Sequence, residues 1–141
     1  MLVEKVLYCA QVKATAGRDI RTVSSDGVLD LKVTRPRELG GTNGEGATPE
    51  QLFAASYAAS FLGIMRLVAG RDDIEFPTGA EVEASVGVGP AAQGFGIEVE
   101  LRIYLPGLPR TEADLLVEKS HALCPYSNAM RGNVSVRLVF A

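Results

Sequence analysis

The stretch LFAASYAASFLGIM, residues 52–65, contains no charge, and its only polar side chains are Ser56, Tyr57 and Ser60. A helix start signal stands just ahead of it. Thr48 is placed to cap, and Pro49 suits the first helical position because the N–H it lacks would find no partner there. Gln51, three residues after Thr48, completes a capping box. The stretch is therefore predicted to be a helix with Glu50 in its first turn and Gly70 as its stop. Apolar on every side, such a helix must be enclosed, either within the chain or between copies of it. Ser56, Ser60 and Gly63 recur at i, i+4 and i+7, which predicts a small-residue face where another backbone can come close.

Upstream the period changes from helix to strand. In EKVLYCAQVKA, residues 4–14, Val6, Tyr8, Ala10, Val12 and Ala14 alternate with Leu7, Cys9, Gln11 and Lys13, so a strand is predicted. Cys9 falls on the face opposite Val6 and Tyr8 and is expected to pack there. SSDG at 24–27 is a turn and VLDLKVT after it a further strand, giving an antiparallel meander. Residues 35–47, RPRELGGTNGEGA, are predicted to be a loop. No Gly-Lys-Ser/Thr follows, so it is not a phosphate loop.

Downstream, AEVEASVGV (80–88) and FGIEVELRIYL (95–105) are joined by GPAAQG and predict a hairpin, with Phe95, Ile97, Val99, Leu101, Ile103 and Leu105 on one face. A second helix is predicted to open at Thr111, with Asp114 three residues on. It should bury Ala113, Leu116, Val117, Ser120 and Cys124 and stop at Pro125. NVSVRLVF (133–140) supplies the last strand. Strands at both ends with helices between them predict one α+β domain over residues 1–141.

Composition excludes several classes. Apolar residues make up 47% and charged residues 22%, which argues against disorder, and a net charge of −3 with scattered Lys and Arg gives no nucleic-acid footprint. No uncharged apolar run reaches the roughly 18 residues of a membrane span. MLVEKVLYCAQV shows no secretory h-region or cleavage site, so a cytoplasmic location is expected. Two cysteines, Cys9 and Cys124, with the single His121, are too few for a disulfide framework or an ordinary zinc site, so no metal is expected. Any cysteine role is redox or structural. His121, three residues before Cys124, suggests a Cys–His pair but is read as a partly buried structural residue.

The motifs TPEQLFAASYAASFLG and HALCPYSNAMRGNV, with KATAGRDIRTVSSDGVLDLKV and GFGIEVELRIYLPGL in the same order and spacing, resemble the organic hydroperoxide resistance proteins, the Ohr branch of the Ohr/OsmC family. The resemblance spans nearly the whole chain. It implies antiparallel sheets wrapped around long buried helices in an interlocked homodimer. It also implies a cysteine-based, peroxiredoxin-like activity that reduces alkyl and fatty-acid hydroperoxides to alcohols. No metal or flavin cofactor is implied; the reductant is an external dithiol, the lipoyl groups of partner proteins.

In that family the peroxidatic cysteine lies in a motif of the form Tyr-x-Ala-Cys-Phe, and here the residues are Tyr57, Ala58, Ala59, Ser60 and Phe61. From pattern alone Ser60 reads as a helix serine bonding back to its i−4 carbonyl. The motif match places it instead where a thiolate would attack a peroxide, and an alcohol cannot become a sulfenic acid. Arg18, in ATAGRD, matches the arginine that stabilises the thiolate and polarises the peroxide. Glu50 matches the carboxylate that holds this arginine, and Cys124, in CPYSN, matches the resolving cysteine. Singly, Arg18 reads as a solvated turn residue, Glu50 as a helix-dipole partner and Cys124 as an inert buried thiol. Together in matched motifs they imply a site that has lost its nucleophile. Because the other three residues remain, an engineered Cys-to-Ser change is favoured. The alternative is a natural non-catalytic paralogue holding a fatty or aromatic ligand in the same cleft. Phe53, Phe61 and Met65 are expected to make that cleft apolar. The chain departs from the family at Cys9, where threonine is usual, and at Ala47 and Thr48, where Thr-Asn is common.

Overall fold

The computed structural model describes residues 1–42 and 44–141, and the chain divides into two compact units, Met1–Leu52 and Phe53–Ala141. In the first, β1 (Val12–Ala16), β2 (Ile20–Ser24) and β3 (Asp30–Val33) form the predicted antiparallel meander, in that order. Its register runs from Val12 opposite Ser24 to Ala16 opposite Ile20. Gly17, Arg18 and Asp19 are left to make the first turn.

The second turn is the predicted SSDG. Gly27 takes a left-handed φ of 76°, and the Ser24 hydroxyl accepts the Leu29 N–H at 2.9 Å while bonding Asp26 at 2.6 Å. Residues 35–42 and 44–47 are mostly loop, with a 3-10 turn at Arg37–Leu39 and a parallel bridge from Ala47 to Val33; Asn43 of the predicted loop lies outside the described residues. Gly46 is required beside that bridge: its φ is 131°, and a Cβ there would lie 2.6 Å from the Lys32 carbonyl oxygen.

The N-terminal alternation is corrected. Strand begins only at Val12, Val6 and Tyr8 are 70% and 83% exposed, and Cys9 is exposed rather than packed. The physical reason is the end of the ladder. β2 turns away at Ser24, so residues before Gln11 have no strand to pair with in this unit.

The long helix α1 (Pro49–Arg71) starts in the closing residues of the first unit. Its capping box forms as predicted: the Thr48 N–H donates to Gln51 Oε1 at 2.9 Å, and the Gln51 N–H donates to Thr48 Oγ1 at 3.1 Å. Such a cap is worth about 1 kcal/mol. The stop differs from expectation. Gly70 lies inside the helix, and Asp73 takes the left-handed position, φ 55°, while the Ile74 N–H donates to the Ala69 carbonyl at 2.8 Å. That closing bond fixes the end two residues past the expected one, and aspartate tolerates the conformation better than most side chains.

In the second unit Tyr57, Phe61, Met65, Val68 and Ala69 form the buried face of α1. They share a core with Val99, Leu101, Ile103 and Leu105 of the hairpin and Ala113, Leu116 and Val117 of the next helix. The opposite face, at Ala55, Ala59, Gly63 and Leu67, is exposed, so one chain encloses only one side of a helix that is apolar all round. By length and composition alone α1 is long and apolar enough to cross a membrane, while its uncharged run stays short of the roughly 18 residues of a membrane span, as expected. Arg66 interrupts the uncharged run without making the helix polar on average.

The sheet of this unit is β4 (Glu81–Pro90), β5 (Phe95–Tyr104) and β6 (Val136–Phe140), in that order. β4 and β5 are the predicted antiparallel hairpin. β6 runs parallel to β5, so this sheet is mixed rather than wholly antiparallel. The chain leaves β5, crosses through α2 (Arg110–Leu123) and α3 (Pro125–Met130), and returns in the same direction, as a helical crossover allows. α2 buries the predicted face, Ala113, Leu116, Val117 and Ser120, with Cys124 just past its end. It opens at Arg110 after Pro109 with no side-chain cap, so Thr111 sits inside the first turn. The short α3 is an addition: Pro125 ends one helix and, as a first-turn residue, starts the next.

Candidate active site

Cys124 stands at the corner between α2 and α3. Proline after it disfavours helical backbone, and its φ and ψ of −63° and 125° are extended. Its N–H donates to the Ser120 carbonyl at 2.8 Å and its own carbonyl accepts the Asn128 N–H at 2.9 Å, so the backbone is held on both sides. The thiol is fully buried, and its Sγ lies 4.0 Å from the Oγ of half-buried Ser60 on α1. At that distance the pair is in van der Waals contact rather than strongly hydrogen-bonded. The back-bonding expected of an isolated helix serine is made by Ser56, whose Oγ donates to the Phe53 carbonyl at 2.8 Å. Ser60 and Cys124, 64 residues apart in sequence, are thus brought together.

A polar chain runs beside them. The Tyr57 hydroxyl is 2.7 Å from Ser127 Oγ, which is 2.8 Å from His121 Nδ1. Tyr57 and Ser127 are fully buried and His121 is partly buried, as predicted for the histidine. Burial, with the neighbouring Arg131 charge, pushes the His121 imidazole below its ordinary value, and burial pushes the Tyr57 phenol up. With the imidazole neutral and the phenol protonated, the order that pairs both hydroxyl protons along the chain has Tyr57 donating to Ser127 and Ser127 donating to Nδ1, with the ring proton on Nε2; the distances fit either sense of each bond.

Arg131 does not compete for the ring: its guanidinium donates to the His121 carbonyl and to Asn128 Oδ1. Tyr57 stacks on Tyr126 with centroids 5.6 Å apart, and Phe53 meets both rings edge-on at 6.4 Å. Phe61 and Met65, expected to line a cleft, are instead fully enclosed in the core. Their places four and eight residues after Tyr57 put them on its buried face.

Arg18 and Glu50 belong to the first unit. Arg18 is exposed at the tip of the β1–β2 turn and makes no salt bridge among the described residues. Glu50 lies in the first turn of α1, with Oε2 buried and without a hydrogen-bond partner among the described residues. A buried carboxylate oxygen left in that state calls for a donor. Ser120 Oγ, one turn before Cys124, is also buried and without a partner among the described residues.

Ser127 and Tyr126 went without notice in the sequence, and Tyr57, though marked as polar within its apolar helix, was given no role; all three lie within the quoted motifs. The available signal was a serine three residues past a buried cysteine and a tyrosine within an apolar helix; both are polar groups that a core tolerates only when paired.

Fold and sequence now point to one class. The OsmC-like protein family profile matches residues 41–139, and the chain belongs to that family, with its Ohr/OsmC α+β fold. Within the class its relatives are narrower. The chain is 54% identical over 138 residues to the organic hydroperoxide resistance protein of Xanthomonas axonopodis pv. citri, covering 98% of this chain and 97% of the relative. It is 40% identical over 136 residues to the organic hydroperoxide resistance protein OhrA of Bacillus subtilis, covering 96% of each. The crystal structure of an organic hydroperoxide resistance protein from Legionella pneumophila matches with a TM-score of 0.90 at 42% identity, over 97% of this chain and 99% of that one.

Proposed function

We propose that the chain is the serine form of a thiol-dependent peroxidase that reduces organic hydroperoxides to alcohols, and that as it stands it does not turn over. The observation that carries this is the contact of Ser60 Oγ with the buried Cys124 Sγ at 4.0 Å, in a chain 54% identical to an organic hydroperoxide resistance protein. With sulfur at position 60, a thiolate attacks the O–O bond. The alkoxide leaves and takes a proton as the alcohol, and the sulfur becomes a sulfenic acid. Cys124 then attacks that sulfur, water departs, and a disulfide joins the two residues. An external dithiol, lipoyl groups on partner proteins, reopens it by exchange. An oxygen at position 60 cannot follow this sequence, and the change is read as engineered because the other residues are retained.

Arg18 supplies a permanent positive charge that favours the thiolate, and Glu50 holds that charge in place. That Oε2 of Glu50 finds no hydrogen-bond partner among the described residues supports this pairing, since a guanidinium would supply the donor. The working form is a homodimer in the cytoplasm, with neither metal nor bound cofactor. The exposed apolar faces of α1 and of residues 1–8 support the second copy.

Ser60→Cys tests the reading. The variant is expected to consume cumene hydroperoxide with dihydrolipoamide and to show a disulfide to Cys124 in unreduced peptides, while the parent does neither. Turnover by the parent at a rate comparable to the variant would overturn it. Saturable binding of fatty acids by a parent whose Ser60→Cys variant stays inactive would favour a non-catalytic ligand carrier.

A further inference from the structure

Two contacts join α1 to the α2–α3 corner, one helical turn apart. Ser60 meets Cys124 at 4.0 Å, and Tyr57, three residues earlier on α1, meets Ser127, three residues later in the corner, at 2.7 Å. Behind Ser127 stands His121 at 2.8 Å, three residues before Cys124. His121 and Ser127 therefore bracket the cysteine in sequence, and their bond closes the corner across it. Stacking on Tyr126 holds the Tyr57 ring.

We infer that Tyr57, Ser127 and His121 form a strut that sets the spacing between the side chain at position 60 and Cys124, with Ser127 the positioning residue at its centre. This rests on the peroxidase reading of that pair and extends it. Tyr57 and Ser127 have no access to water, so separating them leaves two buried hydroxyls unpaired. A packing contact alone yields more easily. A thiol resolving a sulfenic acid needs a near-attack approach of about 3–3.5 Å, which the strut keeps one small movement away. The donor order from Tyr57 through Ser127 to a neutral His121 satisfies every hydroxyl proton in the chain, so the strut is complete without water.

The test uses the full chain carrying Ser60→Cys, equilibrated with glutathione. Two protein thiols and one glutathione disulfide give a protein disulfide and two glutathione molecules, so the equilibrium measures the effective concentration of one thiol at the other. Ser127→Ala and Tyr57→Phe, each in that background, are expected to lower it by about tenfold. The double change Tyr57→Phe with Ser127→Ala leaves no orphan hydroxyl between them. It is expected to regain stability to denaturant while the effective concentration stays low. The strut is overturned if the single variants remain within about twofold of their parent, if the double variant recovers stability and effective concentration together, or if the parent forms no measurable disulfide. Cumene hydroperoxide on the same series separates the two proposals. A parent that forms the disulfide with glutathione but not with the hydroperoxide sinks the peroxidase reading, while the strut is judged by glutathione alone.

Discussion

In the first unit, Met1–Leu52, no described residue is buried as a whole, whereas the second, Phe53–Ala141, holds the whole core from Tyr57 to Cys124. The meander has good local chemistry: a regular ladder, a well-bonded turn at Ser24–Gly27, and a two-pronged ion pair from Arg21 to Asp30. It lacks something to cover it. Val12 and Ile20 are each 48% exposed, and Leu7 and Tyr8 are 88% and 83% exposed. The second unit has hairpin, crossover helices and α1 in contact with one another, and local pattern and tertiary packing agree. Turn chemistry and strand pairing can shape a sheet, but burial must supply most of its stability.

The largest effect expected from this contrast concerns assembly. If a second copy covers what the first unit exposes, the folded protein is a dimer at micromolar concentration, and dilution should melt β1–β3 before β4–β5. Sedimentation equilibrium reads the first outcome and amide hydrogen exchange the second. A stable monomer with equal protection in both sheets would erase the distinction.

A pair of substitutions sharpens it within one chain. Leu101, fully buried in β5, changed to alanine should cost about 3 kcal/mol of unfolding free energy. Leu31, half-buried in β3, should cost about 1 kcal/mol if its own unit is its only cover. Denaturant titration of the two variants provides the comparison. Equal losses would mean that Leu31 is enclosed by a partner surface, which strengthens the dimer and weakens the contrast.

The same contrast marks what sequence reveals. The capping box at Thr48 and Gln51, the SSDG turn, the 80–105 hairpin and the buried face of α2 were legible because each depends on neighbours a few residues away. Val6, Tyr8 and Cys9 alternate as a strand should, yet a period says only that a residue could face a core, and nothing of which segment supplies that core. The direction of β6 was invisible for a related reason. It follows from the crossover through α2 and α3, and no strand pattern encodes it. At the candidate site, Ser60 and Cys124 were read from matched motifs rather than from period. The Tyr57–Ser127 bond, spanning 70 residues, left only the faint signal of polar groups in apolar surroundings.

The smallest effects separate the units by pH. In the second unit, burial holds the His121 imidazole below its ordinary 6.5. The unfolded chain therefore takes up this proton first as pH falls, and stability drops with falling pH from 6.5 through the lower folded value; above 6.5 the contribution is intact. In the first unit, the Ser24 hydroxyl and the Val28 N–H hold Asp26, and Arg21 holds Asp30, below the ordinary 3.8. Their stabilisation is present above 3.8 and is lost as pH falls through the depressed folded values. Thermal midpoints measured from pH 7 down to 2.5 should thus fall in two stages. His121→Asn keeps an acceptor for Ser127 but cannot titrate, so it should flatten the upper stage only. Asp30→Asn should weaken the lower stage only. If His121→Asn leaves the slope between pH 6.5 and 5 unchanged, protonation of this histidine is not what the second unit resists, and the neutral donor chain through Ser127 is wrong.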